Sequence, residues 1–190
     1  MHPTERAEPT GAIKMKLKTL LAKHKTALVA RWVDSIVETY PPETAKFLKN
    51  KKDQFQNPVG HTIVAETKNL FDQVLEGVDR EKATPFLDRI IRVRAIQEFT
   101  PSQALSFVFS MKYIIREIVG PEIDTEALDQ ELVDLEASLD FMALVAFDIY
   151  MSCREQVLDI RAKEVQQNAY LLLRRANLLV EKPGPRPEDS

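Results

Sequence analysis

Residues Leu87 to Glu117 read LDRIIRVRAIQEFTPSQALSFVFSMKYIIRE, and this stretch decides the fold. Apolar residues recur every three or four positions on both sides of a break at Thr100, which is the pattern of two packed amphipathic helices. The break supplies an N-cap hydroxyl, a proline at the first helical position and Gln103 at the third, where its side chain can bond back to the cap. We therefore predict a second helix that begins directly after Thr100. The apolar face predicted before the break comprises Phe86, Ile90, Val93 and Ile96.

The composition is that of a soluble all-α protein. Of the 190 residues, 44% are hydrophobic and 29% are charged, and only 5 are glycine. Folds made of β-strands usually need more turn glycines, so we predict about six helices in one domain. The net charge of -3 disfavours nucleic acid as a partner.

The predicted domain spans residues 13–180, between disordered tails at 1–12 and 181–190. Its helices are expected at 13–39, at 43–50, at 58–76 after the N-cap Asn57, and on both sides of Thr100. The 13–39 helix carries lysines without acids in its first half. These lysines could contact a membrane or a nucleic acid, but a solvated face paired with acids elsewhere in the fold is favoured. The lysines are Lys14, Lys16, Lys18, Lys23 and Lys25.

The last part of the chain predicts a homodimer. Neither glycine nor proline occurs from Thr125 until Pro183, which suits one very long helix or two helices with a bend. Residues 141–151 read FMALVAFDIYM, and a helix that is apolar on all sides must be covered on all sides. We expect a second copy to complete that cover. The predicted interface residues are Phe141, Leu144, Val145, Tyr150, Leu172, Leu173, Ala176 and Leu179.

No catalytic or cofactor-binding motif occurs, so we expect neither an enzyme nor a bound cofactor. The single cysteine, Cys153, is expected to be a buried inert thiol. His24 lies on an apolar helix face, where a core histidine is expected rather than a ligand, and His61 is expected to be exposed in the first turn of its helix. The cluster of Arg89, Arg92 and Arg94 could bind an anion, although surface ion pairing with residues such as Asp88 is commoner.

The first twelve residues, MHPTERAEPTGA, contain no apolar h-region, so we expect no secretory signal, and the longest apolar run, at 141–147, is too short to cross a bilayer. We therefore expect a cytoplasmic protein that does not insert into membranes.

Three segments resemble the N-terminal domain of RsbRD-type RsbT co-antagonists, over roughly residues 15–177. They are NPVGH at 57–61, the long stretch at 87–117, and FDIYMSCRE at 147–155. The resemblance implies a globin-like fold without haem, dimerisation, and a sensory role in the bacterial stressosome. Full-length co-antagonists also carry a STAS domain, for which we expect no room in this chain.

Three hypotheses follow. The leading one is a non-catalytic, dimeric sensory or protein-interaction module of bacterial stress signalling, which binds a small apolar ligand or a partner protein and relays the change through its C-terminal helix. The second is a haem- or redox-linked globin sensor, which would need a proximal histidine within 83–99; none occurs there, and His24 and His61 lie in the wrong helices. The third is an accessory protein of a membrane-bound complex that uses the basic first helix as its contact.

Overall fold

The computed structural model describes residues 15–49, 55–97 and 99–176, and over these ranges the secondary structure is entirely helical. The all-α prediction and the long C-terminal helix are both confirmed. The α-helices are α1 Met15–Lys23, α2 Lys25–Val37, α3 Pro42–Lys49, α4 Pro58–Glu76, α5 Arg80–Ile96, α6 Pro101–Val119 and α7 Glu126–Arg175. The predicted tails at 1–12 and 181–190 lie outside the described residues.

The chain divides after Cys153 into two units. The first unit contains the hydrophobic core, which is built from all seven helices. The second unit, from Arg154 onward, is described as far as Ala176, and its side chains are almost all exposed. Helix α7 is one continuous helix of 50 residues, which decides between the two alternatives that the sequence left open.

The predicted 13–39 helix is interrupted at His24, so that prediction was wrong at one residue. His24 has φ -97° and ψ 7°, outside the helical region, and separates α1 from α2. The side chain of Glu122 accepts a hydrogen bond from Lys23 Nζ at 2.6 Å and lies 2.5 Å from His24 Nε2. The hydrogen bonds from these two neighbours lower the pKa of Glu122, so its carboxylate stays charged at neutral pH.

Acidic residues from other parts of the chain pair with the basic residues of the predicted 13–39 helix. Besides the Lys23–Glu122 pair, Lys25 pairs with Asp72 of α4. The carboxylate of Glu131, a buried residue of α7, accepts a hydrogen bond of 3.1 Å from the backbone N–H of Leu17 in the first turn of α1. A carboxylate at a helix N-terminus is stabilised by the free N–H groups and the helix dipole. These contacts support the interpretation of the lysines as a solvated, ion-paired face.

The junction of α3 and α4 depends on Asn57 and Gly60. The Asn57 side chain accepts from Gly60 N at 2.9 Å, which confirms the predicted N-cap, and donates to the carbonyl oxygens of Phe47 and Leu48 at 3.1 and 3.0 Å. A Cβ added at Gly60 would lie 2.6 Å from the Leu48 carbonyl oxygen, closer than any real contact. The NPVG sequence therefore lets the start of α4 touch the end of α3.

The predicted break between α5 and α6 is confirmed. The Thr100 hydroxyl accepts from Gln103 N at 3.3 Å, and Gln103 Oε1 accepts from Thr100 N at 3.0 Å, which together form a capping box. Inside the core, Trp32 Nε1 of α2 donates to the Phe107 carbonyl oxygen of α6 at 2.7 Å. Helix α6 is thus held at its start by its own cap and at its centre by α2.

We expect Thr100→Ala to lower the free energy of unfolding by about 1 kcal/mol, because it removes the acceptor for one N–H at the start of α6. Urea denaturation at fixed protein concentration measures the change. Thr100→Ser retains the hydroxyl and should unfold at nearly the wild-type midpoint. Equal midpoints for the alanine and serine variants would show that the cap does not contribute to stability.

Candidate functional site

Large apolar side chains are exposed where α6 and α7 run beside each other. They line a groove of about 720 Å³ together with small residues such as Ala143 and Ser106. We call this surface the α6–α7 face, and its large residues are Leu105, Phe109, Tyr113, Leu144 and Phe147. Leu105 is buried, whereas Phe109, Tyr113, Leu144 and Phe147 are 45%, 75%, 56% and 44% exposed. Apolar side chains clustered in this way are typical of interaction surfaces.

Ion pairs between α6 and α7 lie beside the α6–α7 face. Lys112 Nζ is 2.5 Å from Asp140 Oδ1, and Arg116 Nε donates to Glu136 Oε1 at 2.5 Å. Asp140 also lines the groove. An apolar centre with a charged margin is the usual composition of a protein–protein interface.

The predicted interface residues of the first unit fall into two groups. Leu144 is exposed and Phe141 is partly exposed on α7, so both are accessible to a partner. Val145 and Tyr150 are only 2% and 3% exposed, and their assignment to the interface is corrected here. Both already lie in the protomer's own core, where Tyr150 Oη donates to the Phe99 carbonyl oxygen at 2.5 Å. Exposed Phe109 and Tyr113 on α6 were not predicted as interface residues, because the predicted interface was drawn only from the C-terminal helix.

The predicted interface residues of the second unit are exposed. Leu172 and Leu173 are 65% and 44% exposed, Ala176 is also exposed, and Leu179 lies outside the described residues. Small and large apolar residues alternate here at spacings of four and three, which is the heptad pattern of a two-stranded coiled coil. This set, the α7 heptad seam, consists of Leu158, Ala162, Val165, Ala169, Leu172 and Ala176.

The three arginines of the basic cluster have different environments. Arg89 pairs with Glu66 at 2.7 Å, and Arg92 pairs with Asp88 at 2.9 Å, as ordinary ion pairing predicts. Arg94 is fully buried, at 0% exposure, and among the described residues no carboxylate contacts it. This burial was not predicted, although Arg94 follows Leu87 and Ile91 at helical spacing. Ile96, predicted to face inward, is 60% exposed instead.

Arg94 lies at the meeting point of α2, α5 and α6. Its Nη2 donates to Thr39 Oγ1 at 2.8 Å and to the Gln103 carbonyl oxygen at 2.7 Å. Its guanidinium carbon lies 4.4 Å from the centroid of the Phe99 ring and 5.5 Å from that of Tyr40. Arg94 Nε, Arg94 Nη1 and the Tyr40 hydroxyl make no well-aligned hydrogen bond to any described residue, although the guanidinium and the Tyr40 hydroxyl are close enough to stabilise each other's charged form. Burial lowers the pKa of Arg94 and raises that of Tyr40, since it disfavours the charged form of each.

A second groove, of about 630 Å³, lies between α2, α3 and α4. Its apolar wall includes Val29, Val33 and Leu48, and its charged margin includes Asp34, which pairs with Lys49 at 2.9 Å. Its lining combines apolar and charged side chains, unlike the mainly apolar lining of the α6–α7 groove.

Cys153 is buried, as predicted, and burial raises the pKa of its thiol while the positive charge of Arg92 opposes the shift. Within residues 15–49, 55–97 and 99–176, no cluster of metal-ligating side chains occurs. None of the described helices is long and apolar enough to cross a membrane.

The family model of the RsbT co-antagonist protein rsbRD N-terminal domain matches residues 26–165. The match includes α2 to α6 and most of α7, and therefore the α6–α7 face and Arg94. No curated protein and no solved structure matches the chain. The globin-like character of the fold stays a prediction.

Proposed function

Because the chain belongs to the family of RsbT co-antagonist protein rsbRD N-terminal domains, we propose that it is a non-catalytic sensory module that acts as a homodimer. Family membership makes it a sensor domain of stress signalling. In this proposal the protein also dimerises, binds a small apolar ligand and relays the resulting change. The main support for this proposal is the exposed α6–α7 face.

Contact with a second copy of this chain would be more favourable for the α6–α7 face than contact with water. Burial of apolar surface contributes about 25 cal/mol per Å², and four large side chains of this face are at least two-fifths exposed. In a two-fold dimer the same patch meets itself, so one chain supplies both halves of the interface. The adjacent ion pairs would then form a polar margin around an apolar centre.

The α7 heptad seam gives independent support for a dimer. A helix with all these apolar residues exposed would be poorly soluble on its own, whereas heptad spacing lets two such helices bury them against each other. Alanine at every second seam position leaves room for a close approach. Helix α7 also contributes Leu144 and Phe147 to the α6–α7 face. A conformational change in the first unit would therefore be transmitted to the partner through α7. The groove between α2, α3 and α4 is where a small apolar ligand would bind.

Sedimentation of the intact protein and of a chain truncated after Lys163 tests this function. The truncation removes most of the seam but none of the core, so we expect helicity to persist and the dissociation constant to rise about tenfold or more, corresponding to roughly 1.4 kcal/mol. A monomeric intact protein at micromolar concentration would contradict the proposal. Unfolding of the truncated chain without any dimer of the intact chain would also contradict it.

A further inference from the structure

Arg94 is a buried cation without a counter-charge among the described residues. Its two hydrogen-bond acceptors, Thr39 Oγ1 and the Gln103 carbonyl oxygen, are both neutral. A guanidinium does not lose its proton in a protein, so the positive charge stays in the core. A buried charge that is not paired costs several kcal/mol of stability, which makes this arrangement unusual.

The surrounding aromatic rings compensate only part of this cost. Phe99 and Tyr40 both lie within 6 Å of the guanidinium, where a ring face attracts a cation. Rings do not accept the N–H groups at the edge of the guanidinium, and Arg94 Nε and Nη1 have no well-aligned acceptor among the described residues. The Tyr40 hydroxyl is also buried, and the nearby guanidinium influences it without a well-aligned hydrogen bond. Within the described part of the chain, the cluster thus contains poorly satisfied donors, one net positive charge and no carboxylate.

We propose that Arg94 and Tyr40 are the core of a binding site for a small monovalent anion, such as chloride or formate. The charge of Arg94 supplies the attraction, and the free N–H groups and the Tyr40 O–H supply the hydrogen bonds. Less than 1 Å² of each of these donor atoms is accessible, so neighbouring side chains must shift to admit an anion, and only a small one can be accommodated. A larger anion such as gluconate would not enter.

The site also contacts helix α7. Tyr150 of α7 donates to the carbonyl oxygen of Phe99, whose ring lies on Arg94. An anion that draws the guanidinium away from this ring weakens the contact between Arg94 and Phe99. The hydrogen bond between Phe99 and Tyr150 then transmits the displacement of Phe99 to α7. This regulatory part rests on the proposed sensory function, whereas anion binding itself does not.

Thermal unfolding at constant ionic strength tests the site, with sodium gluconate replaced stepwise by sodium chloride or sodium formate. Above the dissociation constant, each tenfold increase in a bound anion should raise the Tm of the wild-type protein by roughly 3–5 °C. Arg94→Met should abolish this response. Tyr40→Phe keeps the ring and should weaken anion binding about tenfold through the lost hydrogen bond. A response to only one of the two anions supports the site and identifies its ligand.

Arg92→Met is the matched control, because it removes the same charge from the exposed side of α5 and should leave the response intact. An equal Tm in gluconate, chloride and formate overturns the proposal, and so does an unchanged response in Arg94→Met. If Arg94→Met does not fold, an unchanged anion affinity in Tyr40→Phe overturns it.

Glu98, four positions after Arg94, lies outside the described residues. An anion response that appears only in Glu98→Gln would identify its carboxylate as the counter-charge and would also overturn the proposal. Sedimentation measures dimerisation independently of anion binding. Failure of the anion site and failure of the dimer are therefore distinguishable.

Discussion

Leu144→Glu is expected to convert the homodimer into a monomer at micromolar concentration. Leu144 is 56% exposed at the centre of α7's contribution to the α6–α7 face, and a two-fold interface would bury both copies of the new carboxylate. Burying an unpaired charge costs more than losing an apolar contact. We expect the dissociation constant to rise about 100-fold or more, which corresponds to about 2.7 kcal/mol. Analytical ultracentrifugation over a dilution series measures the change.

Phe47→Glu is the matched control. Phe47 is 54% exposed on α3, nearly as much as Leu144, but it lines neither the α6–α7 face nor the seam. This variant should dimerise like the wild-type protein. Circular dichroism should show unchanged helicity in both variants, because neither side chain is in the core. Equal dissociation constants for Leu144→Glu and the wild-type protein would show that the dimer uses another surface.

The second large effect is expected from one methyl group at Gly60. In Gly60→Ala the new Cβ would lie within 3 Å of the Leu48 carbonyl oxygen and of both polar atoms of the Asn57 side chain. The backbone oxygen cannot swing aside, so α3 and α4 must separate or the N-cap must break. We expect the free energy of unfolding to fall by about 2–4 kcal/mol, combining overpacking with loss of the cap. Urea denaturation at fixed protein concentration measures it.

Gly120→Ala is the corresponding control. Apart from its chain neighbours and its own helix backbone, nothing lies within 4 Å of a Cβ built at Gly120, and its φ of -49° and ψ of -43° need no glycine. Pro121 follows it and disfavours this helical conformation for a residue with a Cβ, whereas alanine restricts the unfolded chain, so the two effects oppose each other and stability should change by no more than about 1 kcal/mol. Equal midpoints for the two alanine variants would contradict the tight junction that Gly60 provides.

Local sequence determined the helices and most of their ends. The cap at Thr100 and the cap at Asn57 were both predictable, because capping is an interaction between residues three positions apart. The surface pairing of Arg92 with Asp88 is of the same kind. Membership in the RsbT co-antagonist family was also evident from short segments, and the family match over residues 26–165 confirms it.

The tertiary structure alone decided what each apolar face touches. Val145 and Tyr150 look like interface residues in an apolar run but are covered by the protomer itself, whereas Phe109 and Tyr113 remain exposed. At the break between α1 and α2, the His24 side chain contacts Glu122, which is 98 residues away in sequence.

Arg94 shows the same limit for a charged side chain. A pattern of charges places arginine at the surface by default, and only the contacts of Thr39, Phe99 and Gln103 show that its side chain is enclosed. Periodicity reports which residues share a helix face. Whether that face meets water, the core or another chain depends on residues distant in sequence, because burial is a property of the packed helices together.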